Sequence, residues 1–212
     1  MILSSVISKL PKCGTIFAMA SEKKLRIGFD FDGVIAYNPL RMFRAPLMAL
    51  KHQFQKRPDL EFPLPKNPQF KWLWVLAHET SYFPAHGLSD LRKLLEKHAI
   101  EGYIVTGRYS FLEDSLNRWL KKHKADHVFK GVYVNKADEQ PHRFKKEMIE
   151  KLKLDMFVED NWDIVKYLKN AFDHEPGKQA EIHWIYNIVD RFQKYPRKYP
   201  NLKAFIKIIK TP

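Results

Sequence analysis

Two aspartates one residue apart, Asp30 and Asp32, close a short apolar run and open onto a glycine: Leu25-Arg26-Ile27-Gly28-Phe29-Asp30-Phe31-Asp32-Gly33-Val34. The run reads as a buried strand. Carboxylates at a strand's carboxyl end face the edge of an open parallel sheet, where ligands bind. Residues i and i+2 share a face of a strand, and Gly33 lets the chain turn directly afterwards. Two anions held this close disfavour each other's charge unless a cation lies between them. Mg²⁺ suits that position because it is small, hard and oxygen-seeking. Asp-Gly also occurs in ordinary surface turns, so the pair alone does not make a site.

Three later features add to it: Thr106-Gly107-Arg108, a lysine-bearing helix near Lys145, and Glu159-Asp160. Thr106 and Glu159 each end an apolar run that reads as a strand. In a parallel sheet those ends lie on one edge with Asp30, so separate regions of sequence converge. The chemistry such a set suits is phosphoryl transfer. One carboxylate can attack phosphorus. A second, two residues on, can protonate the leaving oxygen and then activate water. A hydroxyl and an ammonium can hold the phosphoryl oxygens, while Mg²⁺ neutralises charge.

The elements that must position these residues follow from periodicity and breakers. Leu25–Phe29 is the first strand. The spacing of Phe43, Leu47 and Leu50 predicts a helix over 34–50. Four prolines make 57–68 a loop, 70–78 reads as a short aromatic helix, and 84–87 breaks it. Ser89 is the expected N-cap of a helix over 90–98. Strands follow at 102–105, 128–134, 156–158 and 182–188, and helices at 111–123, 143–152, 164–170 and 201–210. The alternation predicts an α/β fold: a Rossmann-like parallel sheet with helices on both faces. Residues 38–87 interrupt it as a small, mainly helical cap. The expected organisation is a poorly ordered leader over 1–24, a catalytic core of 25–37 and 88–212, and the inserted cap. Met19-Ala20-Ser21 is an alternative start.

Composition narrows the partners. The 212 residues carry 37 Lys and Arg against 24 Asp and Glu, a formal charge of +13, which favours anionic partners. No apolar run is long enough to span a membrane. A single cysteine, Cys13, excludes an internal disulfide and fits a reducing, cytoplasmic setting. Nine histidines show no ligand spacing, so no zinc site is expected.

The ordered set of motifs resembles the haloacid dehalogenase superfamily of phosphohydrolases, in particular its nucleotidase-like members. Ile27-Gly28-Phe29-Asp30-Phe31-Asp32-Gly33-Val34-Ile35, Ile104-Val105-Thr106-Gly107-Arg108, Phe144-Lys145-Lys146-Glu147 and Phe157-Val158-Glu159-Asp160-Asn161 carry the likeness. The resemblance implies that Asp30 is the nucleophile and a metal ligand. It makes Asp32 the general acid/base, with its backbone carbonyl on Mg²⁺. Thr106 would hydrogen-bond the phosphoryl group. Lys145 would neutralise it, with Lys146 as the competitor. Asp160 is the expected further metal anchor, with Glu159 beside it, directly or through water. Asp163 orders metal-bound water or caps a helix. Gly33, Gly107, Arg108 and Lys146 are the expected substrate contacts, Gly107 leaving room for the approach.

The implied function is Mg²⁺-dependent hydrolysis of a small phosphomonoester, a nucleotide among the candidates, through an aspartyl phosphate. Phe43, Phe54, Phe62, Phe70, Trp72, Trp74, Tyr82 and Phe83 of the cap are placed to stack on a base or to form the cap's own core. Arg41, Arg44, Lys51 and Arg57 are placed to meet phosphate. Two alternatives stay open. A phosphotransferase would use the same intermediate. A catalytically idle version of the fold would serve as an adaptor or bind nucleic acid through clusters such as Lys121-Lys122-His123-Lys124, although no nucleic-acid motif is present. Oligomeric state is open.

Overall fold

The computed structural model describes residues 24–37, 60–62, 71–173, 180–187 and 190–210. Six strands form one wholly parallel sheet: β1 (Leu25–Phe29), β4 (Ile100–Tyr109), β5 (Gly131–Asn135), β6 (Met156–Glu159), β7 (Glu181–Ile185) and β8 (Lys198–Tyr199). Their order is β5-β4-β1-β6-β7-β8. β1 therefore lies between β4 and β6, and the strand order reverses there, which is where a parallel sheet leaves a crevice.

Side-chain alternation divides the core into two layers. Ile27, Phe29, Ile104 and Val158 point to one face, where they meet α2 (Leu88–Glu96), α3 (Glu113–Lys122) and α6 (Leu202–Lys210). Tyr103, Val105, Phe157 and Trp184 point to the other, against α4 (Pro141–Lys151) and α5 (Trp162–Asp173). Helices on both faces match the α/β reading.

Several boundaries differ from expectation. Residues 34–37 are not helical. Gly33, at φ 86°, closes a tight turn, and Ala36–Tyr37 (β2) pairs antiparallel with Phe83–Pro84 (β3). Val34, Ile35 and Ala36 are all buried, so their apolar character reflects a turn packed into the core and not a helix face. The remainder of that expected helix lies outside the described residues, as do most of the expected cap and residues 1–23 of the leader. The described part of the cap holds α1 (Lys71–Glu79) and β3, which pairs with β2 at the end of the core's first segment. Ser89 is not a cap: α2 begins at Leu88, with Gly87 before it at φ 113°. β8 was not expected, because two residues among basic neighbours carry no periodicity.

Three helices end alike. His98, Lys124 and Lys153 take left-handed φ of 52°, 52° and 49° just past α2, α3 and α4. Each is followed by a backbone N–H that reaches back to the helix: Ala99 to Leu94 O, Ala125 to Leu120 O and Leu154 to Ile149 O. These are Schellman closures with an L-residue where glycine is the low-strain choice. Changing any one of the three to glycine is expected to raise stability by about 0.5–1 kcal/mol, read as a higher urea midpoint. A fall in the midpoint would contradict the strain.

His183 lies in the first layer, its ring stacked on Tyr199 and edge-on to Phe205. Burial lowers its pKa from 6.5 to about 4, against the pull of Glu181. The native state therefore holds a neutral imidazole that the unfolded chain would protonate below 6.5. Its contribution is intact above pH 6.5 and is lost as pH falls toward 4, up to ~3 kcal/mol. His183→Gln is expected to flatten the stability–pH curve across that window. An unchanged slope would refute the assignment.

Candidate active site

Strand register builds the site. Phe29 pairs with Ile104 on one side and Val158 on the other. The next residues, Asp30 and Glu159, are therefore neighbours, and Thr106 lies one step further along the same edge. The Asp30 N–H donates to Val158 O at 2.9 Å, continuing the ladder. The Trp184 indole N–H donates to Asp160 O at 3.1 Å and fixes the chain just past β6.

Asp30, Glu159 and Asp160 are all buried, and each offers a carboxylate oxygen within 4.8 Å of the others. Lys145 reaches into this cluster from α4. Its Nζ lies 2.9 Å from Asp30 Oδ2 and 2.7 Å from Glu159 Oε2. Helix phase explains which lysine arrives. Lys145, Met148 and Ile149 are buried on one side of α4, whereas Lys146 is turned about 100° away and pairs with Glu150 at 3.2 Å. Lys146, expected on the substrate, is thus directed elsewhere. Pro141 at the first position of α4 was the sequence signal for its true start.

Electrostatics follow from three buried acids and one cation. Burial raises the Asp30 pKa, Lys145 pulls it down, and Asp160 and Asp32 push it up again. Burial pushes Glu159 up to about 8, with Lys145 opposing and Asp30 adding to the rise. Burial works against the Lys145 charge, yet Asp30 and Glu159 outweigh it and hold the ammonium firmly protonated. The cluster keeps excess negative charge in a dry place, and a second cation would relieve it. The donors are all carboxylate oxygens, which suits a hard divalent ion such as Mg²⁺. Asp30, Glu159 and Asp160 are the residues that could hold it. Glu159 Oε1 also accepts from the N–H groups of Asp160 and Asn161, which locks its rotamer.

Asp32 lies apart from that cluster. The Arg108 guanidinium grips it with two bonds, Nε to Oδ2 and Nη2 to Oδ1, both 2.8 Å. Ser81 Oγ donates to Oδ1 as well. Burial would raise the Asp32 pKa, but Arg108 outweighs burial and holds the carboxyl well below its usual range. Arg108, expected on the substrate, instead stacks over Phe31 at 4.6 Å and also donates to His78 O at 3.2 Å. His78 is in the last turn of α1 and Ser81 follows it, so the cap's end is tied to Asp32 directly through Ser81 and through Arg108. No motif marks Ser81, and sequence reasoning missed it.

Thr106 is buried, and its Oγ1 accepts from the Arg108 N–H at 3.2 Å. At Gly107 a Cβ would lie 2.7 Å from Pro141 Cβ, so its small size lets α4 approach β4. Asp163 does not cap α5. Asn161 does, accepting the Asp163 N–H at 3.0 Å, and Asp163 pairs with Lys166 at 2.9 Å.

No family model matches the sequence, and no curated protein is significantly similar to it. Solved structures do match. YfnB from Bacillus subtilis, a HAD-hydrolase structure bound to magnesium, superposes with a TM-score of 0.53 at 12% identity, over 88% of this chain and 98% of that one. A haloacid dehalogenase-like hydrolase from Bacteroides fragilis gives 0.52 at 14% identity, over 86% and 100%. The chain has the haloacid dehalogenase fold. CbbY from Rhodobacter sphaeroides, solved with phosphate, also matches at 0.52 and 14% identity, over 85% and 95%. Within the haloacid dehalogenase fold of this chain, Asp30, Thr106, Glu159 and Asp160 share one sheet edge, and Lys145 reaches it from α4. Among the described residues no helix is long and apolar enough to cross a membrane.

Proposed function

We propose that the protein is a Mg²⁺-dependent phosphatase of a small phosphomonoester, with Asp30 as nucleophile. The observation that carries the reading is the buried triad of Asp30, Glu159 and Asp160 with the Lys145 ammonium 2.9 Å from Asp30. Asp30 Oδ1 accepts the Phe31 N–H at 2.7 Å and Oδ2 faces Lys145, so the carboxylate is held in one rotamer. In this reading Asp30 attacks phosphorus, the bond to the leaving oxygen breaks, and an aspartyl phosphate forms. Lys145 and Thr106 hold phosphoryl oxygens. Asp32 takes a proton from the attacking water, and delivers one to the leaving oxygen only when substrate binding loosens the Arg108 grip that keeps its carboxyl ionised. Mg²⁺, held by Asp30, Glu159 and Asp160, would supply charge neutralisation and alignment.

Support for a phosphorylated substrate comes from the chain's charge of +13, and from CbbY, which was solved both with phosphate and, as a variant, with xylulose-1,5-bisphosphate. A panel of nucleotides, sugar phosphates and p-nitrophenyl phosphate, assayed with Mg²⁺ and with chelator, tests the reading. Release of phosphate only with metal is expected. Metal-independent release would contradict the role given to the acidic triad.

A further inference from the structure

A cavity of about 240 Å³ lies between α3 and the end of α1 with the chain that follows it, beyond Arg108 from Asp32. We propose that it is a second anion site, taking a phosphate or carboxylate group, and that Arg108 links its occupancy to Asp32. The group is either the distal end of the substrate or a free small anion. The first source rests on the phosphatase reading; the site itself does not.

Its walls are cationic. Ser115, Arg118 and Lys122 line it from one face of α3, at spacings of three and four residues. Arg108 lines it from below and is only 3% exposed. The guanidinium is unevenly satisfied. Nε and Nη2 carry the Asp32 and His78 bonds, but Nη1 has two N–H groups and one partner, Ser115 Oγ, at a long 3.4 Å. A buried donor with so weak a partner marks a place for an acceptor. Lys122 lies 3.7 Å over the Tyr82 ring and donates to its neutral hydroxyl, and among the described residues no carboxylate pairs with it. Glu79 opposes an anion, but it is engaged by Arg118 at 3.1 Å. That pair is exposed on both sides, so it is weak and open to exchange. Three cations thus face two carboxylates, Glu79 and Asp32. The volume is room for roughly eight waters, enough for an anionic group on a few carbons.

Two indoles report separately. Trp119 lines the cavity and donates to Tyr82 O, whereas Trp184 donates to Asp160 O at the acidic triad. Sulfate titrated into the ¹⁵N-labelled protein is expected to move the Trp119 indole signal to saturation. In R118Q/K122Q the apparent affinity at Trp119 should fall about tenfold or more, while any response at Trp184 stays. An unmoved Trp119 signal, or equal affinity in the variant, would overturn the site. The source is read from turnover of glycerol 3-phosphate, 3-phosphoglycerate and p-nitrophenyl phosphate. A rise in KM confined to 3-phosphoglycerate in R118Q/K122Q assigns the anion to the substrate. A change in kcat for p-nitrophenyl phosphate on adding sulfate, present in wild type and lost in the variant, assigns it to a free anion. Kinetics unmoved in both arms would overturn the link to Asp32. If wild type hydrolyses none of the three esters, the phosphatase reading loses its support, and the titration alone decides the cavity.

Discussion

Asp30→Asn is expected to lower kcat by at least ~10³-fold on every phosphomonoester the wild type hydrolyses, with the fold intact. The amide is nearly isosteric with the carboxylate but is not a nucleophile toward phosphorus. Stability should hold or rise. Asp30 is raised in pKa by burial and by Asp160 and Asp32, so removing its charge relieves repulsion. Lys145 keeps Glu159 at 2.7 Å as its counter-ion. A well-folded Asp30→Asn protein that retains turnover within tenfold would remove Asp30 from the chemistry.

Lys145→Met carries the second large effect, and it falls on stability as well as rate. Lys145 Nζ is the cation placed directly between Asp30 and Glu159. Removing it leaves Asp30, Glu159 and Asp160 buried together with like charge. Breaking a buried pair by deleting one partner costs about 3–5 kcal/mol. The loss should be greatest at alkaline pH and smaller in acid, because Glu159, already raised to about 8, can take a proton instead. Saturating Mg²⁺ should return much of the stability by neutralising the same carboxylates. Urea denaturation of wild type and variant, with Mg²⁺ and with chelator, measures both parts. A loss below ~1 kcal/mol, insensitive to metal, would show that Lys145 does not neutralise the triad.

The sheet and the acidic edge were legible because each strand near the site is an apolar run ending in a chemically distinct residue: Phe29 before Asp30, Val105 before Thr106, Val158 before Glu159. Register then does the rest, since Phe29 lies opposite both Ile104 and Val158. Adjacent candidates were harder. Lys145 and Lys146 are indistinguishable by type, and only the helix phase set by Met148 and Ile149 separates them. Val34-Ile35-Ala36 misled because a turn buried under the cap end has the same apolar content as a helix face. The grip of Arg108 on Asp32, and the Ser81 hydroxyl beside it, depend on contacts across 76 and 49 residues. No local pattern encodes such a contact. Gly107 is held small by the approach of Pro141, a contact across the fold that no local pattern encodes.

The most direct measurement is a rapid acid quench of the Mg²⁺-loaded enzyme during turnover of a radiolabelled phosphomonoester, followed by peptide mapping. Label is expected on the peptide containing Asp30, acid-stable and hydroxylamine-labile as an acyl phosphate is, and absent from Asp30→Asn. Phosphate released with no label on the protein at any quench time, or label on another residue, would contradict it.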